Sequence, residues 1–305
     1  MVFPIIDEAI RIQRLAPPTG AVSMVLDTDT YNEIDDQFAL AYAMLSPKVL
    51  TVEAIYAAPF HNPNSSSPAD GMEKSYEEIL RLLERLGVSG ESFAFRGSTG
   101  YLPAAAEAVD SPAARDLIER AMSERSGPLY VVAIGAITNV ASALLLEPEL
   151  VNRIVVVWLG GHPHEWPTAR EFNLMQDIHA ARVVLDSGVP FVHVPCKNVA
   201  QFLRTTVPEL KEHIAGRNAL CDFLFERFCA HHDDHFAWAK ELWDVSAVAW
   251  LVNPAWVPTA LAHSPILTDQ LTWSDDPQRH FIRVATDCNR NAIFADMFRK
   301  LQSAP

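Results

Sequence analysis

Val22–Leu26, Leu50–Ala58, Leu129–Ile134, Ile154–Leu159 and Pro190–Val194 are short, nearly continuous apolar runs bounded by turn residues. Runs of this kind read as strands buried on both faces, the pattern of a parallel sheet covered by helices. The stretches between them carry helical periodicity. One helix is expected from about Ile34 to Leu45, stopping at Ser46-Pro47, and another over Ser75–Leu86. A third opens within Gly135–Val140 and ends before Pro148; a fourth, Ala180–Asp186, is closed by Gly188. Ser92–Phe95 reads as a short strand and Gly97–Val109 as a loop. Met1–Leu15 interleaves Asp7, Glu8, Arg11 and Arg14 with apolar residues, an amphipathic helix set off from the first strand by Pro17-Pro18-Thr19-Gly20. After Val194 the alternation breaks. Pro208–Leu242 is mostly helical in pattern, and the chain closes with a strand within Phe281–Arg290 and a terminal amphipathic helix. Strands alternating with helices predict an α/β fold, an open, mainly parallel Rossmann-like sheet flanked by helices. One domain is expected over 1–305, with 1–20 an N-terminal extension and 205–243 a helical lid region.

Composition adds limits to this picture. With 305 residues, 49% of them hydrophobic and 20% charged, the chain can bury a large core. A formal net charge of −14 opposes nucleic acid and anionic membranes as partners and leaves small neutral molecules open. No apolar stretch is long enough to span a bilayer, and the charged N-terminus is not a signal peptide, so a cytoplasmic location is expected. Cys196, Cys221, Cys229 and Cys288 lack metal-type spacing and are expected as reduced, buried thiols.

The chemistry concentrates where the first strand ends. Asp27, Asp29, Glu33, Asp35 and Asp36 crowd into ten residues between that strand and the following helix. Asp35 and Asp36 alone would be explained by a helix N-terminus, which favours acidic side chains. Five acids together are costly unless they are solvated, share protons or hold a cation. Oxygen ligands with no adjacent Cys or His favour a hard ion, Ca²⁺ or Mg²⁺.

This stretch resembles the aspartate signature of the nucleoside hydrolases, Asp-x-Asp-Pro-Gly-x-Asp-Asp, with Pro-Gly replaced by the longer Thr30-Tyr31-Asn32-Glu33. Glu171-Phe172-Asn173, expected on an extended loop, is similar to the family's Glu-Phe-Asn, Gly135–Asn139 to its Gly-x-x-Thr-Asn, and Trp243-Asp244 to the residues heading a late helix. The resemblance spans Val22 to Leu301. It implies hydrolysis of the N-glycosidic bond of a ribonucleoside to ribose and free base, assisted by Ca²⁺. The implied metal ligands are Asp29, Asp36, Asp244 and the Ile134 carbonyl, with Asp29 also the base that activates water. Asp35 would hold the 2′-hydroxyl, Asp27 would support the loop, and Glu171 and Asn173 would bind ribose hydroxyls. Asn62 is the match for a ribose-contacting Asn, although Asn-Pro also favours a plain Asx turn. A further ribose-contacting Asn falls on Glu165, a departure. Trp243 stands where broad-specificity members carry His; the Trp-Asp pair is that of the purine-preferring branch, whose indole stacks on the base. The family's His-Gly cover for the base is absent, with Tyr101 a stand-in. A homo-oligomer, dimer or tetramer, is implied as well.

Other residues admit two explanations. His231, His232 and His235 are either a solvated helix face or part of a lid that protonates the leaving base. His162 and His164 form a pair without an adjacent third ligand, which does not make a zinc site. Asp27-Thr28-Asp29-Thr30 also resembles the Asp-x-Asp of haloacid-dehalogenase-like phosphatases, but Tyr31 follows where Thr or Val is usual. A non-catalytic nucleoside or sugar binder on the same fold is the other alternative.

Overall fold

The computed structural model describes residues 3–104 and 106–305. Met1 and Val2 of the expected leading helix, and Ala105 of the expected Gly97–Val109 loop, lie outside the described residues. The chain begins α1 (Glu8–Leu15), β1 (Val22–Thr28), α2 (Asp35–Met44), β2 (Leu50–Ala57), α3 (Pro68–Arg85), β3 (Ala94–Arg96) and α4 (Pro112–Met122). It continues β4 (Leu129–Ala133), α5 (Thr138–Leu146), β5 (Ile154–Leu159), α6 (Phe172–Gln176), α7 (Ile178–Ser187) and β6 (Phe191–Val194). Next come β7 (Arg204–Thr205), α8 (Val207–His213), α9 (Ala219–Ala230), β8 (Lys240–Glu241) and α10 (Val245–Val252). The remainder is β9 (Thr259–His263), β10 (Ile266–Leu267), β11 (Trp273–Ser274), β12 (Phe281–Ala285) and α11 (Arg290–Gln302).

Eight strands form one sheet among the described residues, in the order β3-β2-β1-β4-β5-β6-β12-β9, parallel except for β9 against β12. Successive residues of a strand point to opposite faces, so each strand feeds two cores. Met24, Leu26, Val132, Val155 and Val157 face one core with Phe38 and Trp250, while Val25, Val131, Ala133 and Val156 face the other with Leu117, Leu144 and Val184. This double burial is why the strands are unbroken apolar runs. From β1 the chain moves to β2 and β3 on one side and then to β4, β5 and β6 on the other. The crevice between the ends of β1 and β4 is therefore the switch point at which open α/β sheets bind ligands.

Four local expectations are revised. α3 begins at Pro68, not Ser75: the Ser67 hydroxyl caps the Asp70 amide and Pro68 occupies the first turn. Its polar first turns hide the periodicity, and Gly71 is required because a Cβ there would lie 2.0 Å from the Phe60 carbonyl oxygen. α4, started by a Ser111 cap and Pro112, lies in a stretch for which no helix was expected. Glu171–Asn173 is not an extended loop; the Glu171 carboxylate caps α6 by accepting from the amides of Asn173 and Leu174. Within Pro208–Leu242, two helices are followed by an irregular segment and β8, which pairs antiparallel with β7 and clasps the base of the excursion.

Candidate functional site

Asp29 follows the last residue of β1, and Asp35 and Asp36 are the first residues of α2. Asp244 immediately precedes α10, which packs against α2. Two helix N-termini thus converge beside the acidic loop, and their dipoles favour negative charge there. One carboxylate oxygen each from Asp35, Asp36 and Asp244 lies within 4.8 Å of the others, and all three residues are buried. The Asp36 Oδ1 accepts the Thr28 hydroxyl at 2.5 Å. Asp29 is outside that trio, yet it is wholly buried and neither of its carboxylate oxygens has a hydrogen-bond partner. Gly135 makes room for it, since a Cβ there would stand 2.9 Å from the Asp29 Cγ.

Burial is the main reason these acids resist ionising, and mutual repulsion adds to it. The Asp36 pKa is pushed up to about 8 by burial and by Asp35. Those of Asp29 and Asp244 rise well above the usual range by burial and then by their acidic neighbours. Asp27, also buried, is raised to about 7, with its Oδ1 accepting from Asn139 Nδ2 at 2.7 Å. Protonated or unpaired, this cluster is an expensive feature in a folded core. A divalent cation resolves it: the donors are all oxygens, several are carboxylates, and Asp29 has two unused acceptors. The residues present fit a hard ion.

A cavity of about 720 Å³, counting the space open to solvent, adjoins the cluster. Its walls include Asn32, Glu33, Asp35, Asp36, Ile134 and Leu159. They continue with His162, Glu171, Phe172, Asn173, Cys196, Lys197, Trp243 and Asp244. Seven of the expected residues are thus brought to one place: Asp35, Asp36, Ile134, Glu171, Asn173, Trp243 and Asp244 line it, and Asp29 lies beneath. Asn173 Nδ2 donates to the Ile134 carbonyl at 3.0 Å and to the Leu159 carbonyl at 3.0 Å. A carbonyl has a second lone pair, so Ile134 retains an acceptor. Glu171 is tied up as a cap and also accepts from the Gly161 amide at 2.7 Å.

Asn62 and Glu165 do not line the cavity. Asn62 Nδ2 donates to the Asn32 Oδ1 at 2.6 Å, so it fastens the acidic loop, and Glu165 is exposed. Tyr101 hydrogen-bonds Gln176 and is likewise outside the lining. His231, His232 and His235 gather around Trp238 and do not line that cavity, although His231 lines an adjoining pocket that shares Glu33 with it. Asn32, His162, Cys196, Lys197 and the buried Lys240, which binds Glu33 at 2.5 Å, were not anticipated as functional. Only the proximity of Cys196-Lys197 to the end of an apolar run hinted at them.

The turn carrying His162 is unusually fixed. The Gly160 carbonyl meets His193 Nε2 at 2.6 Å, the Gly161 carbonyl accepts from the Cys196 amide at 3.1 Å, and the His162 carbonyl accepts from Trp273 Nε1 at 3.0 Å. Burial and the adjacent His164 push the His193 pKa down to about 3, against 6.5 ordinarily. The unfolded chain therefore takes up a proton that the folded chain refuses, and stability present above pH 6.5 is lost as pH falls towards 3. In His193→Gln that loss should disappear. Thermal melts should show the stability gap between the two proteins narrowing from pH 7 to 4; a constant gap would contradict the assignment.

A sequence model described as inosine-uridine preferring nucleoside hydrolase matches residues 24–295. A pyrimidine-specific ribonucleoside hydrolase of Klebsiella pneumoniae is 29% identical over 262 residues, covering 77% of this chain and 80% of that protein. Its counterpart in Salmonella paratyphi A is 30% identical over 267 residues, with the same coverage. Among solved structures, a plant nucleoside hydrolase superposes with a TM-score of 0.74 at 18% identity, covering 94% of this chain and 100% of that one. A purine-preferring ribonucleoside hydrolase from Gardnerella vaginalis gives 0.72 at 20% identity, covering 92% and 98%. At those identities the structural likeness speaks for the fold.

Proposed function

Because the chain belongs to the inosine-uridine preferring nucleoside hydrolase family and is a nucleoside N-ribohydrolase, we propose that it cleaves ribonucleosides with the aid of Ca²⁺, favouring purines. The observation that carries the proposal is the buried convergence of Asp35, Asp36 and Asp244 beside an unpartnered Asp29. Asp29, Asp36, Asp244 and the Ile134 carbonyl are the residues that would hold the ion. When bound, it supplies a Lewis acid that favours a hydroxide-like water near neutral pH and grips the ribose diol.

The protein's own groups do the rest. Asp29 accepts the proton of the attacking water, its carboxylate oxygens being free of other partners. Asp35 accepts from the ribose 2′-hydroxyl. Asp27, anchored by Asn139, holds the strand end from which Asp29 projects. The surrounding carboxylates favour the positive charge that develops on the sugar as the base leaves. Asn173 and Glu171 face the remaining ribose hydroxyls, and the backbone amides that Glu171 caps keep it oriented. Asn62 acts indirectly, by fixing Asn32 in the wall. Glu165, exposed and outside the lining, has no part in this scheme. Trp243 offers an indole face to the base; stacking of that kind is worth roughly 1–3 kcal/mol and is larger for a two-ring base.

A panel of inosine, adenosine, uridine and cytidine, assayed for reducing sugar with and without a calcium chelator, tests this reading. Sugar should appear from at least one nucleoside, fastest from a purine, and the chelator should abolish it. No sugar from any nucleoside, or turnover indifferent to chelation, would remove the proposal.

A further inference from the structure

The N-glycosidic bond breaks with its electron pair passing to a base nitrogen, so the base needs a proton or a positive charge beside it. By resemblance, Trp243 stands where broad-specificity members carry a histidine, and none of His231, His232 and His235 lines the cavity. His232 Nδ1 meets the Asp234 carbonyl at 2.7 Å and His235 Nε2 the Cys229 carbonyl at 2.9 Å, both outside the cavity. Among the described residues the cavity wall holds one ammonium group, Lys197. It sits on the turn after β6, beside Asn198, whose φ of 62° gives the turn its left-handed bend.

Lys197 is half-buried, yet no carboxylate of the described residues comes within salt-bridge distance and its Nζ donates no hydrogen bond to them. Its Nζ stands 5.7 Å from the centre of the Trp243 ring. Lys240 is almost as near that ring, at 5.9 Å, but its charge is taken by Glu33 at 2.5 Å and it does not line the cavity. The Trp243 ring face offers it only a cation–π contact, and an acidic protein with carboxylates to spare has left this ammonium without a hydrogen-bond acceptor among the described residues. The acceptor it lacks is one that a stacked base would bring.

On the nucleoside hydrolase reading, we propose that Lys197 is the catalytic residue that stabilises and protonates the departing base. As the C1′–N bond breaks, the Lys197 ammonium donates a hydrogen bond and then a proton to the base nitrogen or its ring-conjugated oxygen. Water adds hydroxide to C1′, its proton passes to Asp29, and the neutral lysine regains a proton from solvent. The sum is nucleoside plus water giving ribose plus neutral base.

The test compares leaving groups. Lys197→Met, in the full chain, should lose about 10²–10⁴ in kcat/KM on the best nucleoside, the usual worth of a general acid. On p-nitrophenyl β-D-ribofuranoside, whose phenolate departs without a proton, the loss should be at least about tenfold smaller. Lys197→Gln serves the same comparison if the Met variant does not fold. Equal losses on both substrates, or none, would overturn the assignment. His162→Gln should affect both substrates alike; a selective loss there and not at Lys197 would move the role to His162. Failure of the underlying reading looks different, because the unsubstituted protein would then release sugar from no ribonucleoside, and the Lys197 proposal would fall with it.

Discussion

Asp29→Asn should fold normally and turn over nucleosides about 10²–10⁴ times more slowly, the range spanned by loss of a general base. Asn occupies the same volume as Asp but cannot accept the proton of the attacking water. Folding is expected to survive because Asp29 makes no side-chain hydrogen bond that Asn would forfeit, and burial already disfavours its charge. The substitution also removes a charge repelled by Asp36, Asp35 and Glu33, so melting of the chelator-treated variant should occur at or above the temperature of the equally treated parent. Steady-state kinetics and thermal melts read both expectations. Turnover within tenfold of the parent would show that another group takes the proton.

If the acidic cluster holds Ca²⁺ as proposed, chelation should weaken the fold as well as the activity. A ligand bound to the native state alone, at about 100 times its dissociation constant, stabilises by about 2.7 kcal/mol. For a chain of this size that corresponds to roughly 5 °C in melting temperature. Chelator-treated protein should therefore melt about 5 °C lower than protein in millimolar Ca²⁺, and Asp244→Asn should abolish most of the difference. Asp244 is the informative position because it joins α10 to the acidic loop. If added Ca²⁺ leaves the melting temperature unchanged, the carboxylates hold no ion, and the sharing of protons among Asp35, Asp36 and Asp244 becomes their whole explanation.

Much of the architecture can be read from residue order because a doubly covered parallel sheet demands it. Val131 and Val132 point into different cores, both are apolar, and the strand needs no tertiary information to be recognised. The acidic loop is legible for a related reason: its members are neighbours in the chain. Where chemistry depends on residues that meet only after folding, the sequence is less informative. α4 goes unnoticed because Ser111-Pro112 also punctuates a loop, and the polar first turns of α3 conceal its start. Asn62 looks like a sugar contact until the fold brings Asn32 to its amide. Lys197 is a single cation in an irregular turn and Lys240 another in the two-residue β8; their difference, one without a carboxylate partner and the other bound to Glu33, is a tertiary fact.

Lys240 and Glu33 are 207 residues apart in the chain, and Asp244 comes from one residue farther still to meet Asp36. During translation the acidic loop leaves the ribosome with no counterpart to complete it, and every product truncated before α10 lacks the last carboxylate. Enzyme activity is thus tied to synthesis that has passed Asp244. Fragments that end before Asp244 should lack the complete acidic cluster and release no sugar from nucleosides.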